Sequence, residues 1–125
     1  MIKNIHHVQI TIPKGAQAEA KARQFYEEVM QLEPLEKPAP LQARGGFWLR
    51  IANQEIHIGV EENIERHKTK AHIAYEVTGL EYWRQRLEKA NIQIIESIAI
   101  PAYNRFECRD PFGNRIEFIE KRPAK

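Results

Sequence analysis

Four side chains of the kinds that bind divalent metals recur on four apolar segments of this chain: His7, His57, His72 and Glu117. Imidazole nitrogen and carboxylate oxygen are natural donors to such ions. In each segment the alternation of a strand turns the ligand-type residue away from the apolar face. If the four converge they form a metal site, and if they do not, the same strands line a polar cavity.

Successive strand residues face opposite ways, so the faces can be read directly. His7 shares one side with Gln9 and Thr11, opposite His6, Val8, Ile10 and Ile12. His57 shares a side with Glu55 and Gly59, and His72 with Ala74 and Glu76. Glu117 lies with Arg115 and Ile119, opposite Ile116 and Phe118. Trp48 and Arg50 oppose Phe47, Leu49 and Ile51, which makes them candidates to line a pocket for a ligand with an aromatic or anionic part. Arg105 shares a face with Glu107 and Arg109, beside Tyr103, and its guanidinium could hold a ligand carboxylate or oxyanion. Arg109 is read as surface-exposed. Glu76 either orients a ligand histidine or is a solvated strand charge. His6, on the apolar side, and His67, in a charged connector, are set aside.

The elements that must position these residues come in a repeated order. A strand over Ile5–Ile12 ends at Pro13-Lys14-Gly15, and apolar residues at helical spacing predict a helix from Ala16 to Met30. Pro34, Pro38 and Pro40 predict an extended loop anchored by Leu35 and Leu41. Phe47–Ile51 and Glu55–Val60 read as a hairpin, followed by the connector Glu61–Lys70. The pattern then restarts: a strand at His72–Val77, a helix capped by Thr78 with the stripe Leu80, Trp83, Leu87 and Ala90, and Asn91 as a left-handed end. Strands at Ile92–Ile95, Arg105–Arg109 and Arg115–Ile119 complete it. Asp110-Pro111-Phe112-Gly113-Asn114 is turn chemistry that sets the register of Glu117. A period of roughly 60 residues fits two fused half-domains, about 1–62 and 70–121, within one domain spanning 1–125. The fold class is α+β, with two sheets curled about a central cavity.

Composition narrows the partners. A chain of 125 residues is expected to bury about two-thirds of its unfolded surface around one core. Nineteen basic against 17 acidic residues leave a formal charge of +2, and the basic residues are scattered, which argues against nucleic acid. A single cysteine, Cys108, fits a reducing compartment. With neither a membrane-length apolar run nor a signal peptide, the protein is expected to be cytoplasmic.

The chain resembles the vicinal oxygen chelate superfamily of glyoxalase I, extradiol dioxygenases, fosfomycin resistance enzymes and bleomycin-binding proteins. The resemblance rests on Ile5-His6-His7-Val8-Gln9-Ile10, Phe25-Tyr26, Ala71-His72-Ile73-Ala74-Tyr75-Glu76-Val77 and Asp110-Pro111-Phe112-Gly113-Asn114-Arg115-Ile116-Glu117-Phe118. It implies two βαβββ modules, a divalent metal (Fe, Mn, Ni or Zn) on His7, His72 and Glu117, and frequent pairing as a homodimer. Two histidines and a carboxylate leave coordination sites open for adjacent substrate oxygens. The implied activity is a metal-dependent lyase, isomerase or dioxygenase reaction on a small oxygen-bearing metabolite, with Arg105 as substrate anchor. A metal-free drug-binding or metabolite-binding role is the alternative. Two positions depart from the family's patterns. His57 stands where glyoxalase I enzymes commonly place a glutamate, leaving it as fourth ligand, base or lining residue. Gln9 stands where fosfomycin-type transferases tend to have threonine.

Overall fold

The computed structural model describes residues 1–123. The chain divides into two compact units, Met1–Ile64 and a second beginning at Glu65, each built around one four-stranded mixed sheet. Among the described residues no helix is long and apolar enough to cross a membrane.

In the first unit the strands are β1 (His7–Ile12), β2 (Glu33–Leu35), β3 (Phe47–Ile51) and β4 (Gln54–Val60), in the sheet order β1-β4-β3-β2. β1 and β4 run parallel, and the other pairs are antiparallel. A parallel pair needs a crossover, and helix α1 (Ala16–Arg23) lies within that connection. The helix expected to reach Met30 as one α-helix instead widens into a π-helical stretch over Gln24–Val29. There Met30 N–H donates to Phe25 O, five residues back, and the wider turn accompanies burial of the adjacent rings of Phe25 and Tyr26. The proline-rich segment is also more ordered than a plain loop, because it holds β2 and the short helix α2 (Ala39–Gln42). Pro34 is tolerated because β2 is an edge strand. Ile12, Tyr26, Phe47, Leu49 and Ile58 are buried in this unit's core.

The second unit repeats the plan with β5 (His72–Glu76), α3 (Leu80–Lys89), β6 (Ile95–Glu96), β7 (Tyr103–Arg109) and β8 (Arg115–Lys121). Its order is β5-β8-β7-β6, again with the first strand parallel to the last. Phe118, 1% exposed, stacks on Phe106 at 5.3 Å and lies 5.8 Å from the Trp83 ring, so helix and sheet share one aromatic core. The Asp110 turn is tied as its sequence suggests: Oδ1 accepts Phe112 N–H at 2.8 Å and Asn114 N–H at 2.9 Å.

Several local expectations are corrected. Gly79, in the left-handed region, occupies the N-cap of α3 in place of Thr78, and Glu120 accepts the first amide hydrogens. Arg109 is not a free surface charge: it donates to the carbonyls of Arg66, Thr69 and Gly113 and ties the connector to the β7–β8 turn. His6 precedes β1 and is exposed, with its Nδ1 3.0 Å from that of His7. Asn91 takes the left-handed conformation predicted for it.

Candidate functional site

Three parallel or antiparallel neighbours assemble a polar cluster in the second unit. The β5–β8 register pairs His72 with Arg115 and Ala74 with Glu117, while β7–β8 sets Glu107 directly opposite Glu117. His72, Glu107 and Glu117 each offer a donor atom, and the three atoms lie within 4.8 Å of one another, the only such group among the described residues. Glu107 accepts from Arg115 Nε at 2.5 Å and from Ser97 Oγ at 2.9 Å. The bond from Arg115 holds the Glu107 carboxyl below the ordinary range against the opposing effect of burial. Arg105 Nη1 lies 3.4 Å from Glu117 Oε1, and its Nε donates to Ile98 O.

The two ring nitrogens of His72 face different partners. Nδ1 is 2.8 Å from Lys70 O, and a carbonyl only accepts, so Nδ1 carries hydrogen. Nε2 is 3.0 Å from Glu117 Oε1, also an acceptor when ionised. Those atoms attract only if a proton lies between them, on the ring or on the carboxyl, or if both coordinate a cation. A ligand histidine typically donates its other N–H to a carbonyl, and that is how Lys70 serves His72. The imidazole and two carboxylates are therefore a donor set that fits a divalent ion. Cys108, next to Glu107, faces the opposite way into the core, and burial pushes its thiol up to about 12, so it is packing and no nucleophile.

The first unit presents a different constellation on the equivalent strands. β1–β4 pairs Gln9 with His57, and β3–β4 pairs Trp48 with His57. The His57 ring lies between its neighbours, 4.1 Å from the His7 ring and 3.9 Å from the Trp48 ring system. His57 Nε2 donates to Glu55 Oε1 at 2.9 Å, which leaves Nδ1 as its basic nitrogen. That bond is the main reason the Glu55 carboxyl is lowered. The face opens into a cavity of about 460 Å³ whose walls include His7, Gln9, Lys37, Leu41, Arg44, Trp48 and His57.

The profile of the Glyoxalase/Bleomycin resistance protein/Dioxygenase superfamily matches residues 4–118. The chain belongs to this superfamily. A solved structure of a Bacillus anthracis protein assigned to the glyoxalase family is 45% identical, covers 98% of each chain and has a TM-score of 0.88. In fold alone, the chain resembles an integron cassette protein from the mobile metagenome of V. cholerae, at 22% identity, 96% coverage of each chain and a TM-score of 0.71. It likewise resembles the fosfomycin resistance protein FosX of Listeria monocytogenes, solved with Mn(II) and sulfate. That likeness is 14% identical over 99% of this chain and 93% of the other, with a TM-score of 0.77. No curated protein matches the chain.

Within this superfamily member the two registers align the modules residue by residue. Gln9 opposite His57 corresponds to Ala74 opposite Glu117, so His7 corresponds to His72 and His57 to Glu117. By the same rule Trp48 corresponds to Glu107. One position thus carries an aromatic wall in the first module and a carboxylate in the second.

The residues expected at the site divide accordingly. His72, Glu117 and Arg105 meet in the second module, while His7, His57, Gln9 and Trp48 meet in the first. Arg50 is exposed beside Glu55 and does not line the cavity. Among the described residues no hydrogen bond or ring contact joins Tyr103 to the His72 cluster, and Glu76 is exposed while the Lys70 carbonyl orients His72. Glu107 was legible only as a residue on the Arg105 face. Lys37 and Arg44 had no signal beyond their place in the proline-rich segment.

Proposed function

We propose that the protein is a divalent-metal-dependent enzyme acting on a small oxygen-bearing metabolite, with His72 and Glu117 as ligands in the second module and His7 as the ligand of the first. The observation that carries this reading is His72, which has Nδ1 tied to a carbonyl and Nε2 aimed at the Glu117 carboxylate. Glu107, within 4.8 Å, is a further candidate ligand. A bound metal would supply Lewis-acid activation of a substrate that chelates it through adjacent oxygens. His57, whose Nε2–H is held by Glu55, keeps Nδ1 available to accept a substrate proton. Arg105 is proposed to steady the negative charge of the substrate. Lyase, isomerase and dioxygenase reactions are all compatible with these roles.

A metal-free binding protein is the second reading, favoured by one observation. Arg105 and Arg115 already neutralise Glu117 and Glu107, so the cluster is satisfied as an ion-pair lattice. Metal analysis after loading with Fe, Mn, Ni or Zn separates the two. The enzyme reading expects about one ion per chain, and its loss in His72→Ala; equal metal in both proteins, or none in either, sinks it. The protein is further proposed to work as a homodimer, and a monomeric mass by light scattering at micromolar concentration would refute that.

A further inference from the structure

We propose that the first-module cavity binds a small molecule carrying an oxyanion, clasped between Lys37 and Arg44 with its carbon skeleton against Leu41 and Trp48. This rests on reading the polar strand face as a ligand site, and it adds the class of ligand. The cavity walls hold two permanent cations and no carboxylate. The Arg44 guanidinium has no hydrogen-bond or ion-pair partner among the described residues, although arginine at a cavity wall is strongly suited to a planar oxyanion. Arg44 also borders a neighbouring cleft that contains Glu19, yet no ion pair joins the two. Lys37 is half-buried and spends one N–H on the Gly45 carbonyl, so two remain for a ligand.

The segment that carries both cations is held in shape. Gln42 Nε2 donates to Lys37 O at 3.0 Å, Arg44 N–H to Leu41 O at 3.1 Å and Gly45 N–H to Gln42 O at 3.2 Å. Such bonds fix the backbone from which the two side chains project and reduce the ordering that binding must impose on it. About 460 Å³ falls within the range of small-molecule sites. Uncompensated cations beside the apolar surfaces of Leu41 and Trp48 select a ligand that is apolar at one end and acidic at the other. A carboxylate and a phosphoryl or phosphonyl group share that chemistry.

Calorimetric titration of the full-length protein, chelator-treated and metal-loaded in parallel, tests the proposal with phenylphosphonate, phenylacetate and neutral benzyl alcohol. At least one anion is expected to bind the chelator-treated protein more tightly than benzyl alcohol does. Arg44→Ala and Lys37→Met should each weaken that anion about tenfold, the scale of one charge-assisted hydrogen bond, while Lys37→Arg retains most of the affinity. Preference for phenylphosphonate assigns a phosphonyl-type group, and preference for phenylacetate assigns a carboxylate. Benzyl alcohol binding as tightly as the anions overturns the proposal, as do unchanged anion affinities in both variants. Metal content of Arg44→Ala is expected to equal that of the parent, so failure here is distinguishable from failure of the metal reading, which only His72→Ala reports.

Discussion

His57 and Trp48 lie face to face, with ring centroids 3.9 Å apart and planes 2° from parallel. They are direct partners in the β3–β4 ladder, and β4 runs between β1 and β3, so His7 completes the stack from the other side. Packing on both ring faces fixes the plane of the imidazole, and the bond to Glu55 fixes its rotation in that plane. The role of base proposed for His57 calls for one fixed ring orientation, and these two independent constraints supply it.

The stack has a measurable energy. A double-mutant cycle of Trp48→Leu and His57→Leu, followed by urea unfolding, is expected to give a favourable coupling of about 0.5–1.5 kcal/mol, the range for paired rings beyond their burial. A coupling indistinguishable from zero would mean that the rings are neighbours without a specific interaction.

Period-2 alternation made the modules and their polar faces legible, because a strand buried on one side must alternate. The order of elements therefore followed from Ile5–Ile12, His72–Val77 and their partners. The break in α1 was not legible, since Phe25 and Tyr26 satisfy helical spacing whether the backbone is α or π. Glu107 was visible on the correct face, but its pairing opposite Glu117 depends on the β7–β8 register, a long-range property. The α3 cap was hidden for the same reason: Thr78 is a good local cap, yet the carboxylate that serves the helix comes from Glu120 on β8. Lys37 and Arg44 line a cavity only because α2 folds their segment, and a four-residue helix that contains a proline gives little periodicity.

Gly46 marks a position where backbone meets backbone. Its φ is +80°, and a Cβ there would stand 2.0 Å from the carbonyl oxygen of Ile58, whose residue pairs with Phe47 in the hairpin. Gly46→Ala must strain its own dihedral and push β4 away, so a loss of at least about 2 kcal/mol is expected in chemical denaturation. Gly15→Ala is the control, because its φ is also positive but nothing lies within 4 Å of the added methyl. Equal losses in the two variants would show that dihedral strain alone governs both.

Glu120 gives the fold a pH dependence of known sign. Its carboxylate accepts Gly79 N–H at 2.6 Å and Leu80 N–H at 3.1 Å, and these two bonds pull its pKa below the ordinary 4.5. A lowered folded-state pKa means that the unfolded chain binds the proton more readily. The stabilisation is thus fully present above the unfolded value and is lost as pH falls from about 4.5 through the folded value. Glu55 and Glu107 are also lowered, so wild-type stability alone cannot isolate Glu120. Glu120→Gln retains one acceptor oxygen and removes the titration. Its melting temperature should be below wild type at pH 7, and the gap should narrow by several degrees toward pH 3 as the wild-type carboxylate protonates. A gap independent of pH would show that the α3 cap does not depend on the charge of Glu120.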